Sequence, residues 1–371
     1  MVDLKSQYLS IKPEIDKGIQ DVIDGTAFIN GPAVKSFQED LEKYLHCKHV
    51  IPCANGTDAL QVSMMALDLK PGDEVITVSF TFIATVEVIS LLGLTPVFVD
   101  VDPGTFNLDV TKLEQAIGPK TKAIVPVHLF GQCAPMEEIM EIAARHNLRV
   151  IEDACQAIGG DYYFSDGTIK KAGTIGHIGC TSFFPSKNLG CYGDGGAIFT
   201  NDDALAKEMR IVVNHGMAVR YYHDRIGVNS RLDSIHAAIL RVKLQHLDDY
   251  AARRNRAAAY YDKAFSGHPK LRVPARYSKS NHVFHQYTLL GKDIDRQGLV
   301  DWLATKEVPA MIYYPVPLHL QKAFRDSRYK AGILPVTEAP AQSVFSLPMH
   351  PELENDQLEH ITRSVLEFVN R

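Results

Sequence analysis

From Val50 to Asp153 the chain alternates short β-prone runs with stretches whose apolar residues recur at helical spacing, and this alternation restricts the fold more than any other feature. Residues 50–53, 74–78, 96–101, 123–127 and 149–152 read as strands. The patterns between them read as helices ending near Leu67, Leu92, Ile117 and His146. A helix between two strands carries the chain back to the same end of a sheet, so the strands run mostly parallel and helices cover both faces. In such α/β sheets ligands sit beyond the carboxyl ends of the strands. Phe82, His128, Asp153 and Gln156 each fall just past a predicted strand end and are expected to converge there.

The stretch 180–197 reads C-T-S-F-F-P-S-K-N-L-G-C-Y-G-D-G-G-A. Its one lysine, Lys187, follows Phe183 and Phe184 and precedes Gly190, Gly193, Gly195 and Gly196. Such a setting desolvates an ammonium and favours the neutral amine, which is what a Schiff base to an aldehyde requires. A lysine snorkelling out of a buried turn would carry the same sequence. Asn55-Gly56-Thr57-Asp58 opens a helix with cap side chains, free N–H groups and a positive dipole end, a combination that suits phosphate. A plain N-cap would read alike. Asp153 lies between Val150-Ile151-Glu152 and Ala154-Cys155, where an unpaired charge is costly. It therefore faces a cation, such as a protonated heterocyclic nitrogen, or caps a helix.

Residues 1–30 read as an N-terminal arm and a helix with Ile15, Ile19 and Ile23 on one face, followed by a helix over 34–45. Past Asp153 a hairpin is expected within 160–179, then strands at 179–184 and 196–200 and a helix over 204–213. One long helix over 234–265 leads to a second unit, with strands near 283–290 and 344–348 and helices over 296–306 and 355–369. The expected organisation is an arm and helix (1–30), a large ligand-binding domain (31–240), and a connecting helix with a small C-terminal domain (241–371).

Hydrophobic residues at 46% and charged residues at 22% suit an ordinary globular enzyme, and a net charge of −5 gives no general attraction to nucleic acid or an anionic membrane. The glycine run after Lys187 is not the dinucleotide fingerprint G-x-G-x-x-G, which argues against a nicotinamide dehydrogenase. Six scattered cysteines without a C-x-x-C pair argue for reduced thiols in the cytoplasm and against a zinc site. The N-terminus lacks a signal-peptide apolar region, and the longest apolar run, 88–99, is broken by Gly93 and Pro96 and is too short to span a membrane.

Several motifs recur in one order: N-G-T-D-A-L (55–60), S-F-T-F-I-A-T (79–85), E-D-A-C-Q-A (152–157), T-S-F-F-P-S-K-N-L-G (181–190), G-D-G-G-A (193–197), G-V-N-S-R-L-D (227–233), Y-Y-P-V-P-L-H (313–319) and S-L-P-M-H-P (346–351). Together they resemble the DegT/DnrJ/EryC1/StrS family of fold type I pyridoxal-phosphate aminotransferases over nearly the whole chain. The resemblance implies a large domain built on a mostly parallel seven-stranded sheet flanked by helices, plus a smaller C-terminal α/β domain. It implies that Lys187 bonds the cofactor and later shuttles a proton, and that Asp153 partners the pyridinium nitrogen. Phe82 matches the aromatic that stacks on the ring, and Gln156 the residue on its hydroxyl side. Gly56, Thr57, Asp58 (through its N–H) and Ser182 match the phosphate cup. Asn229 matches a phosphate ligand supplied by the neighbouring subunit, which implies a homodimer with shared sites.

Within the family, the run from Cys180 together with G-V-N-S-R-L-D looks closest to enzymes that aminate a 3-keto sugar, the UDP-2-acetamido-2-deoxy-3-oxo-glucuronate aminotransferases of bacterial surface-polysaccharide pathways. Those use L-glutamate as donor. Glutamate and a uronate both carry carboxylates, and Arg231 offers a fork to receive one. Tyr313, Tyr314 and His319 are expected to line the sugar-nucleotide entrance, although the tyrosines also suit core packing. Amination of a dTDP-linked keto-deoxysugar, and a cofactor-binding regulator without chemistry, are the competing expectations.

Overall fold

A computed structural model describes residues 1–371. Its central sheet has seven strands: β1 (His49–Cys53), β2 (Glu74–Val78), β3 (Thr95–Val99), β4 (Thr121–Val125), β5 (Arg149–Asp153), β6 (Ile178–Ser182) and β7 (Gly196–Thr200). Their order across the sheet is β1-β7-β6-β5-β4-β2-β3. Strands β3, β2, β4, β5 and β6 pair in parallel, as the alternation requires. Only β7 runs antiparallel to its neighbours, β6 and β1. The reason is local. β6 and β7 are joined by the Lys187 loop and not by a crossover helix, so the chain turns straight back.

The interior strands are buried on both faces, and their alternate residues feed two cores. Ile76, Val78, Ile124 and Val150 pack with Met136, Ile139 and Ala143 of the helix Met136–Arg145. Val75, Ala123, Val125 and Ile151 pack on the other face with Ala59, Leu60 and Met64 of the helix Gly56–Ala66. Each such valine, leucine, isoleucine or methionine side chain contributes about 1.5–3 kcal/mol by leaving water. The two layers hold the strand ends rigid, and the site is built on those ends.

A second, antiparallel sheet has the order β8 (Leu271–Arg272), β9 (Tyr287–Gly291), β10 (Val344–Leu347). Leu289 and Phe345 pack there against Ala258, Tyr261, Leu299, Leu303, Leu358 and Val365 from three helices, Leu247–Phe265, Arg296–Thr305 and Asn355–Val369.

Two expectations change. The single helix over 234–265 is two helices, Ser234–Leu244 and Leu247–Phe265. At the break, the N–H groups of Gln245 and His246 bond three residues back, to Val242 and Lys243. The bend buries both Leu244 and Leu247 in one cluster, after which the chain passes to the C-terminal helices. The strand expected from residue 283 starts at Tyr287. Phe284 has a φ of 45°, which ends an extended run, and Val283 instead donates to Gly131 O at 2.8 Å.

Candidate active site

Beyond the end of β1, Asn55 caps the helix Gly56–Ala66, and its Oδ1 accepts the N–H of Asp58 at 2.8 Å. This corrects one expectation: the Asp58 amide is already committed to the cap. The first-turn N–H groups left for a ligand are those of Gly56 and Thr57, which have no helical acceptor. Ser182, the last residue of β6, packs directly on this turn. A Cβ on Gly56 would stand 2.7 Å from Ser182 Cβ and 2.9 Å from Cys155 Sγ. The absence of a side chain is what brings the helix N-terminus, the hydroxyl of Ser182 and the end of β5 together.

Asp153 is the final residue of β5 and is 6% exposed. Its Oδ2 accepts the hydroxyl of Thr85 at 2.7 Å and its Oδ1 the N–H of Cys155 at 3.2 Å. Neither donor is charged, and the carboxylate forms no ion pair within the chain. Gln156 Oε1 accepts the N–H of Phe130 at 2.7 Å, while Nε2 donates to the hydroxyl of Tyr314 at 3.2 Å. Burial raises the pKa of Tyr314, so its hydroxyl stays protonated. Phe82, past the end of β2, leaves its ring 54% exposed.

His128 does not join this group. Side chains alternate along a strand, so Glu152 points to the opposite face of the sheet from Asp153. His128 Nε2 lies 2.8 Å from Glu152 Oε2 there. Glu152 also accepts the N–H groups of Gly173, Ile175 and Gly176 at 2.9, 2.6 and 2.5 Å. The pair is fully buried and fastens the loop between the hairpin and β6.

Lys187 follows β6 in a turn closed by its own N–H on Phe184 O at 2.8 Å. Its side chain is half-buried. Desolvation lowers the pKa of its amine from the ordinary lysine value, while Cys155 and Asp153 pull in the opposite direction. Asn188 Nδ2 donates to Val283 O at 2.9 Å, which docks the segment ahead of β9 onto this loop. That contact brings in His285, which lay inside an expected strand and carried no signal in the sequence. Burial first, then the charges of Lys187 and Arg254, hold its pKa well below the ordinary value, so it stands beside Lys187 as a neutral imidazole.

The remaining expected residues divide. Tyr313 lines a cavity of about 60 Å³ with Ser186, His285 and Gln286, next to the Lys187 loop. His319 does not line an entrance: it is 1% exposed, with Nδ1 2.6 Å from Ser79 Oγ and Nε2 3.3 Å from Glu338 Oε1. Its short turn packs behind β2, where burial lowers its pKa. Arg231 lies in a separate cleft of about 260 Å³ with Asn30, Gln38, Arg210 and Asn214, and makes no ion pair. Asn229 is exposed. Within one chain, therefore, Gly56, Thr57, Ser182, Asp153, Gln156, Tyr314 and Lys187 come together, while Arg231 and His319 stand apart. Thr85 was present in S-F-T-F-I-A-T but not singled out. A first-turn threonine following a strand end was the signal available.

The model of the DegT/DnrJ/EryC1/StrS aminotransferase family matches residues 9–366. The UDP-2-acetamido-2-deoxy-3-oxo-D-glucuronate aminotransferase of Pseudomonas aeruginosa is 46% identical over 362 residues, 97% of each chain. A protein of Geobacillus stearothermophilus named pleiotropic regulatory protein is also 46% identical, over 99% of this chain and 98% of its own. Among solved structures, S. venezuelae DesV in complex with a ketimine intermediate superposes with a TM-score of 0.95 at 37% identity, covering 100% of this chain and 98% of that one. With a family match spanning nearly the full length, the chain belongs to the DegT/DnrJ/EryC1/StrS aminotransferase family.

Proposed function

We propose that the protein is a pyridoxal 5'-phosphate-dependent aminotransferase that moves the amino group of L-glutamate onto a nucleotide-linked 3-keto sugar, UDP-2-acetamido-2-deoxy-3-oxo-glucuronate, for surface-polysaccharide synthesis. The observation that carries this reading is Lys187, an amine depressed by desolvation beside a buried carboxylate, Asp153, that has no cation of its own within ion-pair distance. The residues fit the cofactor. The Gly56 and Thr57 amides with the Thr57 and Ser182 hydroxyls suit its phosphate, and Asp153 suits a protonated ring nitrogen. When bound, the cofactor supplies an aldehyde and an electron-withdrawing ring. Lys187, its amine pushed toward the neutral form by desolvation, would hold it and, once released, carry a proton to and from the donor's Cα. Phe82 would cover the ring, and Gln156, oriented by Phe130 N–H and Tyr314, would hold its hydroxyl.

A homodimer with shared sites is part of the same reading. Asn229 is exposed and Arg231 lies in a cleft apart from its own chain's Lys187, as residues that reach into a neighbour's site would. A second hairpin, Met217–Val219 paired with Tyr222–His223, and the residues after it expose Val219, Tyr221, Tyr222 and Ile226 at 62, 74, 70 and 85%, apolar surface that a second copy would cover. Arg231 then receives a carboxylate of glutamate or of the uronate across the interface, and Tyr313 lies toward the sugar. No helix is long and apolar enough to cross a membrane, and all six cysteines are free thiols, which suits a cytoplasmic enzyme.

The name of the G. stearothermophilus relative favours a second reading, a regulator that binds the cofactor without turnover. One experiment separates these. The purified protein is converted with L-glutamate, freed of donor, and given candidate keto-sugars while the visible spectrum is recorded. Return of the yellow form with the UDP-3-oxo-uronate alone supports the proposal. Return only with a dTDP-linked keto-deoxysugar keeps the chemistry and changes the substrate. Failure of glutamate to bleach a yellow protein supports the regulator.

A further inference from the structure

Asp153 is buried at the end of β5, yet every donor it receives from its own chain is neutral. The charged and titratable groups around it are Lys187, Cys155, Cys180 and Tyr314. The two thiols and the phenol are held protonated by burial, and Lys187 is pushed toward its neutral form. What aims this carboxylate is therefore hydrogen bonding from its own chain. Thr85 provides the shorter of its two bonds, 2.7 Å to Oδ2. Thr85 is 1% exposed and sits in the first turn of the helix Ala84–Leu91, whose positive end faces the same way. The Cys155 N–H, at 3.2 Å, holds only Oδ1.

We infer that Thr85 is a positioning residue for the ring-binding carboxylate: its hydroxyl holds Oδ2 of Asp153 and fixes the orientation of the carboxylate without cancelling its charge. A lysine or arginine in this place would pair with Asp153 and compete with the cofactor. A hydroxyl solvates the carboxylate and leaves its full negative charge for the cationic ring. A β-branched side chain suits the task because its rotamer is restricted once packed in a helix, so the hydroxyl is held in one direction. The inference rests on the proposed role of Asp153.

The test compares Thr85→Val, Thr85→Ser and Asp153→Asn with the parent. The apoproteins are titrated with pyridoxal 5'-phosphate by protein fluorescence, and the visible band of each loaded protein is followed with pH. Loss of a hydrogen bond to a buried charge corresponds to about tenfold weaker binding in Thr85→Val. The pH at which the bound cofactor's band changes should move in the same direction as in Asp153→Asn, and Thr85→Ser should restore both values. Parent-like affinity and pH profile in Thr85→Val, with both altered in Asp153→Asn, overturn the role of Thr85 alone. No change in Asp153→Asn overturns both. If Thr85→Val fails to fold, Thr85→Ala and Thr85→Ser are compared in its place, with parent-like behaviour of the alanine variant overturning the inference.

Discussion

Lys243 Nζ donates to the carbonyl oxygen of Gly190 across 2.8 Å, joining a lysine buried in the helix Ser234–Leu244 to the loop that carries Lys187. The same amine donates to Gln7 Oε1 at 3.0 Å and lies 4.6 Å from the ring centre of Tyr192. Three segments far apart in the chain, the N-terminal helix Leu4–Ser10, the loop and the helix, thus meet on one buried charge.

Burial pushes Lys243 down to about 8, below the 10.5 of an exposed lysine. The folded state therefore binds fewer protons than the unfolded chain between those values, so this group's contribution to stability rises with pH from about 8 to 10.5. Below that window its burial penalty is present in full. Urea unfolding of the parent and Lys243→Met across this range should show the parent gaining on the variant as pH rises. Parallel curves would mean that the amine is solvated. The variant also strands two acceptors, an offset of about 1–3 kcal/mol at every pH.

Lys187→Ala should bind the cofactor reversibly yet complete no more than one amino transfer, because no other amine at the site can carry the proton. Sustained 2-oxoglutarate release by this variant would remove Lys187 from the mechanism.

Gly56→Ala places a methyl 2.7 Å from Ser182 Cβ, so the helix end and β6 must separate. The expected cost is about 1–3 kcal/mol in unfolding free energy. The apoprotein's affinity should fall more for pyridoxal 5'-phosphate than for pyridoxal, since the phosphate cup is what moves. Equal losses for the two would place the phosphate elsewhere.

Glu152→Gln tests a residue that shares a motif with Asp153 but has a different task. The amide exchanges one acceptor oxygen for a donor, which then faces either the Gly173 N–H and His128 or the N–H groups of Ile175 and Gly176, and this should cost about 2–4 kcal/mol in denaturant unfolding. Once folded and saturated with cofactor, the variant should keep kcat within a few-fold of the parent. A collapse of kcat at full saturation would place Glu152 in the chemistry.

The parallel sheet was legible because each strand–helix pair announces itself locally: Glu74–Val78 and Met136–Arg145 begin and end close to where their apolar periods do. The motif around Lys187 was legible for the same reason, since a lone lysine between aromatic residues and glycines is unusual wherever it folds. Asp153 and Glu152 show the limit of this kind of reading. As neighbours in an apolar run they look alike, and only the pleat of β5, set by pairing with β4 and β6, sends one to the site and the other to His128. His319 was misplaced because its motif says nothing about depth. The burial of its ring behind β2, with Ser79 and Glu338 on its two nitrogens, depends on residues 240 and 19 positions away in the chain.

By itself the sequence determined most of the elements, the direction of most strands and the unusual setting of the lysine, because helical and strand periods, caps and glycines act over a few residues. Tertiary structure alone decided that Asp58 spends its amide on Asn55, that Thr85 clamps Asp153, that His285 stands neutral by the lysine, and that Arg231 lies in a different cleft from Lys187. Those outcomes turn on which hydrogen-bond partner and how much water each group meets, and both are set by segments brought together only when the sheet, its two helical layers and the C-terminal unit pack.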